Sequence, residues 1–142
     1  MKIYVASSWR NPYQAEAVSY LRHAGHEVYD FRNSFPGNKG FHWSEIDPDW
    51  QNWTSAQYRE ALGHSIAGDG YLTDFKAMEW ADVCVLVLPC GRSAHLEAGY
   101  FVGAGKPLHI LILEKCEPEL MYKMATGIHT TFNELLRCVE QR

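Results

Sequence analysis

The sequence predicts a doubly wound α/β fold, in which one mostly parallel five-stranded sheet has helices on both faces. The first observation is an unbroken apolar run over residues 83–88, which is typical of a parallel strand covered on both faces. The second is that shorter apolar runs alternate along the chain with segments of helical periodicity. The chain has 142 residues, enough for one core, so we expect a single domain over 1–142.

The N-terminal part of the chain predicts a strand, a helix and a second strand. Residues 2–6 are the first strand, and Asn11 followed by Pro12 favours a helix N-cap with Pro at the first helical position. Apolar residues then recur at helical spacing as far as Gly25, which favours the end of a helix. A second strand is expected over 27–31.

The segment 32–52 contains Pro, Gly and Asn but has no clean periodicity, and it lies in a stretch rich in tryptophan: Trp43, Trp50 and Trp53. Long loops of this kind usually have a function, so we expect the stretch to cover or border a ligand site. The alternative is an aromatic cluster beneath a long loop. Helices are predicted next, over 54–66 and 74–81.

The second half of the chain continues the alternation. The strand 83–88 ends at Pro89, and Ser93 is a suitable N-cap for a helix that stops near Gly103 or Gly105. The remaining elements are predicted to be a strand, a short helix, a short strand and a final helix, over 108–113, 117–124, 127–130 and 132–138.

Composition excludes several classes of function. The net charge of −4 gives no basic face, so we expect no nucleic acid partner. No apolar run approaches the roughly 20 residues of a membrane span, and the N-terminus lacks a signal-peptide pattern. The four cysteines form no Cys-x-x-Cys pair, which favours reduced thiols and a cytoplasmic location: Cys84, Cys90, Cys116 and Cys138.

No motif requires a metal or an organic cofactor. The order of His95-x-Glu97 after Pro89-Cys90 reverses the zinc-deaminase signature, and the second Cys of that signature is absent. The segment 103–107 lacks the spacing of a P-loop. We therefore expect no cofactor.

Glu97 is the strongest candidate for chemistry. A helix that begins at Ser93 places Glu97 in its first turn, just beyond the carboxyl end of the central strand, where open α/β sheets bind ligands. The electropositive helix N-terminus favours a charged carboxylate there, and such a carboxylate can act as a nucleophile. The alternative is an exposed glutamate that only complements the helix dipole.

Two further segments could join Glu97. Ser7–Arg10 form the first βα turn after Tyr4, and such turns hold phosphates or ribose in doubly wound folds. The alternative is an ordinary turn with an exposed arginine. Asp74 is either an acid or a helix cap.

Together these residues resemble the nucleoside 2-deoxyribosyltransferase family and the related nucleoside 5'-monophosphate N-glycosidases. The resemblance is distributed over Tyr4 with its turn, Asp74, the segment 91–100, the segment 105–107 and the segment 118–121. It implies a flavodoxin-like, Rossmann-like domain that cleaves the N-glycosidic bond of a small nucleoside or nucleotide. Water is the expected acceptor; the alternatives are transfer of the sugar to another base and a non-catalytic nucleotide-sensing module.

The resemblance also implies roles for single residues. Glu97 would be the nucleophile, Tyr4 would orient its carboxylate, and Asp74 would assist departure of the base. Ser8 and Arg10 match residues that hold a 5'-phosphate in the hydrolases.

Further residues of the resemblance line the expected substrate site or its border. Trp9 matches an aromatic near the base in the transferases. Gly91 stands where the transferases have Asp and the hydrolases Ser, while Ser93 and His95 are candidates for phosphate or hydroxyl contacts. Glu119 replaces an asparagine of the family, and with Met121 it lies in a segment that reaches a neighbouring subunit's site there. We therefore expect a homodimer or a dimer-based oligomer.

Overall fold

The computed structural model describes residues 1–140 and contains a five-stranded sheet in which every pairing is parallel. The strand order is β2-β1-β3-β4-β5. This is the doubly wound, flavodoxin-like order that the sequence predicts. The strands are β1 (Lys2–Ala6), β2 (Glu27–Asp30), β3 (Val83–Val87), β4 (Leu108–Leu111) and β5 (Gly127–His129).

The described residues also form five α-helices and three short 3₁₀ segments. The helices are α1 (Gln14–His23), α2 (Ser55–Ala61), α3 (Ser65–Trp80), α4 (Arg92–Gly103) and α5 (Phe132–Glu140). The 3₁₀ segments are Trp43–Glu45, Trp50–Asn52 and Leu120–Met124.

The two faces of the sheet bury different side chains. On one face, alternate residues of β1 and β3 pack with α1 and α5 in an aliphatic core, and Ile3, Val5, Val85 and Leu135 in it are at most 1% exposed. The other face carries Tyr4 and its register partner Cys84, together with Phe101 of α4. Because side chains alternate along a strand, each apolar run supplies both faces.

The chain divides into two compact units, one of Met1–Asp30 with the chain from Trp80 onward, and one of Phe31–Glu79. The first unit contains the whole sheet. In the second, the rings of Phe41, Trp53 and Tyr58 each lie edge-on to Trp43, with centroids 4.7–5.8 Å apart. An aromatic cluster thus lies within this unit, while Trp50 is 38% exposed.

The predicted strands are confirmed, but several helix boundaries are wrong. The helices expected over 54–66 and 74–81 are instead α2 and a longer α3, so Asp74 lies inside a helix and is not a cap. The short helix expected over 117–124 is a 3₁₀ segment over Leu120–Met124. No helix within residues 1–140 has the length and apolar character needed to cross a membrane.

Two predicted N-caps are also wrong. Helix α1 begins at Gln14 after Tyr13; the Asn11 side-chain oxygen accepts from the Tyr13 amide at 2.6 Å, just before the helix, while its amide nitrogen donates to carbonyls at the end of β3 and in the turn after it. Helix α4 begins at Arg92 after Gly91, so Ser93 is an exposed residue of its first turn.

Candidate active site

The site lies at the topological switch point of the sheet. Strands β1 and β3 are neighbours, while β2 and β4 lie on their outer sides. The chain therefore leaves β1 and β3 in opposite directions, which opens a crevice at their carboxyl ends where doubly wound folds bind ligands.

A buried tyrosine and a glutamate meet across the face of the sheet that α4 covers. Tyr4 is 1% exposed, and its ring stacks on that of Tyr29 at 5.2 Å between centroids. The Tyr4 hydroxyl donates a hydrogen bond to the carboxylate of Glu97, which is half-buried. The tyrosine is held by packing, so this bond fixes the direction of the carboxylate.

Glu97 is the sixth residue of α4 and lies in its second turn, not in the first turn as predicted. The helix dipole acts mainly within the first turn, so the reading of Glu97 as a simple dipole complement loses its basis. The hydrogen bond to Tyr4 takes its place as the feature that defines this carboxylate.

The pKa values of two thiols near Glu97 are raised, in part by its negative charge. Burial raises the pKa of Cys84 well above its ordinary value, and the Glu97 charge raises it further. Burial and the same charge raise the pKa of Cys90 to about 12. Both cysteines therefore stay protonated at neutral pH and are poor nucleophiles.

The turns after β1 and β3 are tied together by side chains of the first turn. The Ser8 hydroxyl accepts a hydrogen bond from the Gly91 amide at 2.7 Å. Asn11 is buried, and its side-chain amide donates to the carbonyls of Val87 at 3.1 Å and Pro89 at 2.8 Å. These bonds give the crevice walls a fixed spacing.

A cavity of about 430 Å³ opens beside these turns. Of its lining residues Arg10 is exposed, and Trp9 is 41% exposed. The cavity is lined by Ser8, Trp9, Arg10, Asn11, Pro89 and Cys90. A guanidinium, a hydroxyl and an indole at one cavity could meet a phosphate and a planar base.

His95 has protein partners at both ring nitrogens. Its Nδ1 lies 2.7 Å from the Gly91 carbonyl oxygen, and its Nε2 lies 2.9 Å from the Tyr122 hydroxyl. The two rings stack, with an angle of 10° between their planes. The predicted site residue His95 is thus linked to the segment that carries Glu119 and Met121.

Glu119 precedes the 3₁₀ segment and accepts a hydrogen bond from the Met121 amide at 3.3 Å. Met121 is 56% exposed. Asp74 belongs to the other compact unit, where it is a partly buried residue of α3.

Sequence reasoning missed two residues of this site. The pattern Asn11-Pro12 predicts a helix cap, whereas the structure shows that the Asn11 amide holds the carbonyls of Val87, at the end of β3, and Pro89, in the turn after it. Tyr122 gave no signal, because it lies 27 residues from its partner His95. Within residues 1–140, no group of three or more His, Cys, Asp or Glu is arranged to hold a metal ion.

Comparisons with known proteins support the fold at low sequence identity. A 2-deoxyribosyltransferase from Bacillus psychrosaccharolyticus matches with a TM-score of 0.66 and 19% identity, over 96% of this chain and 90% of that chain. A conserved protein from Enterococcus faecalis matches with a TM-score of 0.64 and 16% identity, over 100% and 98% of the two chains. A CMP N-glycosidase from Clostridium botulinum matches with a TM-score of 0.52 and 15% identity, over 99% of each chain.

No family model and no curated protein matches the sequence. The structural likenesses therefore establish a common fold, and function has to be argued from the site itself.

Proposed function

We propose that the protein is an enzyme that cleaves the N-glycosidic bond of a (deoxy)nucleoside 5'-monophosphate or nucleoside. The observation that carries the proposal is the hydrogen bond from the buried Tyr4 hydroxyl to the Glu97 carboxylate at the switch point of the sheet. A carboxylate aimed by a rigid donor is the group that a retaining glycosidase uses as nucleophile.

In the proposed reaction, a Glu97 carboxylate oxygen bonds to the anomeric carbon as the bond from that carbon to the base nitrogen breaks. The transition state resembles an oxocarbenium ion, and the electron pair of the broken bond leaves with the base. Asp74 would supply a proton to the base or hydrogen-bond to its ring nitrogens; this role rests on the family resemblance alone.

The glycosyl ester is then broken by an acceptor. Water bonds to the anomeric carbon and releases a proton to solvent as the bond from that carbon to the Glu97 oxygen breaks; the sugar leaves with a hydroxyl group, and the Glu97 carboxylate is restored. Tyr4 would keep its hydrogen bond to the carboxyl group and so hold it in place for both steps.

The phosphate preference comes from the first βα turn. Arg10 can form a charge-assisted pair with a 5'-phosphate, and Ser8 lines the same cavity. Trp9 offers an indole face for a base. Gly91 presents no side chain towards substrate, and a Cβ there would come no closer than 3.7 Å to the Ser8 hydroxyl.

A transferase that passes the sugar to another base is the second candidate. It is favoured by the exposed Trp9 and by the fold likeness to a 2-deoxyribosyltransferase. A nucleotide-sensing module without catalysis is the third candidate, but sensing gives no reason to aim a carboxylate with a buried tyrosine.

The protein is further proposed to form dimers in which Glu119 and Met121 approach the partner's site. Leu120 is 74% exposed and Met121 is 56% exposed, so the 3₁₀ segment presents apolar side chains that a second copy would cover. Light scattering at working concentration should give at least a dimer, and a fully active monomer would refute this assembly.

The function is tested with a panel of nucleosides and 5'-monophosphates, each incubated with and without a free acceptor base. Free base and free sugar phosphate identify the hydrolase, and a new nucleoside that forms only with acceptor identifies the transferase. Ligand binding without products would leave the sensing module. Neither binding nor products with any substrate would reject all three.

A further inference from the structure

His95 lies two residues before Glu97 on α4, yet its ring faces protein groups. The Gly91 carbonyl oxygen is 2.7 Å from Nδ1 and the Tyr122 hydroxyl is 2.9 Å from Nε2. The Tyr122 ring also lies nearly parallel to the imidazole, with centroids 5.9 Å apart.

The chemistry of these partners fixes the proton positions. A carbonyl oxygen can only accept, so Nδ1 carries the hydrogen in the bond to Gly91. In the neutral imidazole Nε2 is then an acceptor, and the Tyr122 hydroxyl donates to it. Burial raises the pKa of Tyr122, so this hydroxyl stays protonated at neutral pH.

These two bonds extend the link between the turns of the sheet. The Gly91 amide donates to Ser8, the Gly91 carbonyl accepts from His95, and His95 accepts from Tyr122. The β1 turn, the β3 turn and the segment after β4 are therefore joined in one chain of hydrogen bonds.

The segment that carries Tyr122 has little packing of its own. No residue of Leu120–Met124 is buried, and its neighbour Glu119 is exposed. A segment with few buried contacts opens locally at low cost in free energy, so a stacked and hydrogen-bonded ring contributes a large share of its order.

We propose that His95 is a positioning residue that holds the Gly91 turn against Ser8 and the 119–124 segment against α4. It acts through Gly91 and Tyr122 and does not contact the substrate. The consequence for substrate use rests on the proposed function. The bridge itself, the hydrogen bonds that join His95 to Gly91 and to Tyr122, can be tested without any activity.

Three variants separate the halves of the bridge. His95→Asn places an amide nitrogen near the position of Nδ1, so it keeps the bond to Gly91 and loses Tyr122. His95→Gln reaches the position of Nε2, so it accepts from Tyr122 and loses Gly91. Tyr122→Phe keeps the ring stack and removes the hydroxyl.

Hydrogen exchange of the 120–124 amides is the first readout. We expect it to accelerate about five- to tenfold in His95→Asn and Tyr122→Phe, the range of one modest hydrogen bond, and to stay unchanged in His95→Gln. The double variant His95→Asn/Tyr122→Phe should be no faster than either single variant, because both remove the same bond. In the wild type, nitrogen-15 NMR should find the Nδ1–H tautomer.

Kinetics with the best substrate of the panel is the second readout. We expect His95→Gln to raise KM for a monophosphate about three- to tenfold with kcat nearly unchanged, because the Gly91 turn that supports Ser8 loosens.

Equal KM increases in the His95→Asn and His95→Gln variants without faster exchange would mean that His95 contacts substrate, and would overturn the proposal. Unchanged exchange in both His95→Asn and Tyr122→Phe would overturn it too. If the wild type shows no activity but exchange is still faster in His95→Asn and Tyr122→Phe, the bridge is supported and only the proposed function is rejected.

Discussion

Two buried polar pairs lie on opposite faces of the same sheet and differ in charge. On the face covered by α4, Tyr4 donates to the carboxylate of Glu97. On the face covered by α1 and α5, His109 of β4 and His129 of β5 lie 2.9 Å apart, from Nδ1 to Nε2, and both are buried. The first pair contains a carboxylate, and the second is a neutral contact between two rings.

The pKa shifts at the two pairs differ in the same way. Burial raises the pKa of Cys84 and Cys90, and the charge of Glu97 raises both further. Burial lowers the pKa of both His109 and His129, so the histidines stay neutral at pH 7. A buried neutral pair is a common structural solution, while burying a charged group costs free energy unless it is paired and hydrogen-bonded. The proposed chemistry involves the first pair, and we expect the second to contribute to stability.

The largest predicted effect is the loss of turnover in Glu97→Gln. Glutamine keeps the size of the side chain but has no negative charge with which to attack the anomeric carbon. We expect turnover to fall by about a thousandfold or more, with substrate binding retained. Product formation under saturating substrate and ligand titration by calorimetry measure the two quantities.

The control for Glu97→Gln is His129→Gln, which alters the neutral pair on the opposite face. That variant should lower thermal stability and leave kcat within about twofold. Near-normal turnover in Glu97→Gln would remove the functional half of the comparison.

Arg10→Ala is expected to have the next largest effect. Its guanidinium lines the cavity beside Ser8 and would pair with a phosphate. Loss of a charge-assisted bond of about 1.5–3 kcal/mol predicts kcat/KM for monophosphates about ten- to a hundredfold lower, with nucleosides little affected. Arg137→Ala on α5 is the matched control and should leave both substrates unchanged. Equal losses for nucleosides and monophosphates in Arg10→Ala would mean that Arg10 does not recognise phosphate.

Gly127→Ala tests the neutral pair. A Cβ at Gly127 would lie 2.9 Å from the Cε1 and Nε2 atoms of His129 and 3.3 Å from Nδ1 of His109. The rings must shift, and overpacking of this kind costs about 1–3 kcal/mol of the free energy of unfolding. Denaturant unfolding measures the change, and kcat per folded molecule should be unaltered.

Gly99→Ala is the matched control for Gly127→Ala. Gly99 is an exposed residue of α4, and a Cβ there meets no atom within 4 Å. Alanine in this helix should stabilise by up to about 1 kcal/mol. If both alanine variants changed stability equally, the fit of the histidine rings over Gly127 would not be the cause.

The sheet was predictable because its strands are apolar runs with clear ends. The helix end before β2 is also marked, because Gly25, with a φ of 93°, follows the C-cap residue Ala24 of α1. Helix α3 was not predictable in full, because Gly68 and Gly70 lie within it and lower its intrinsic propensity. Tertiary packing overrides such local preferences, and a single sequence does not display that packing.

The positions of Glu97 and the first βα turn follow from the strand pattern, but the pairing of Glu97 with Tyr4 came only from the family resemblance. Tyr4 and Glu97 are 93 residues apart, so spacing alone could not join them. The structure joins Ser8 of the turn after β1, Gly91 of the turn after β3 and His95 of α4 by hydrogen bonds. The pair His109–His129 had no sequence signal at all, because each residue is a single histidine in an apolar strand whose partner depends on the parallel register.

The smallest predicted effect is the pH dependence that the histidine pair gives to stability. Burial holds the pKa of His109 and His129 below the ordinary value of 6.5. A charge on His129 lowers the pKa of His109 further. Glu134 of α5 faces His129 and partly offsets the effect of burial.

In the unfolded chain both histidines protonate near pH 6.5, and in the folded protein only at lower pH. The unfolded state therefore binds more protons below about pH 6.5, and the free energy of unfolding falls as the pH drops through the folded pKa values. Above pH 7 the pair contributes no slope. The slope is at most about 1.4 kcal/mol per pH unit for each histidine.

Urea unfolding from pH 8 to pH 5 measures this slope, with His26→Gln as control because burial also lowers the pKa of His26. His129→Gln should flatten the acid side of the curve more than His26→Gln does, and equal curves in wild type and His129→Gln would locate the pH sensitivity outside this pair.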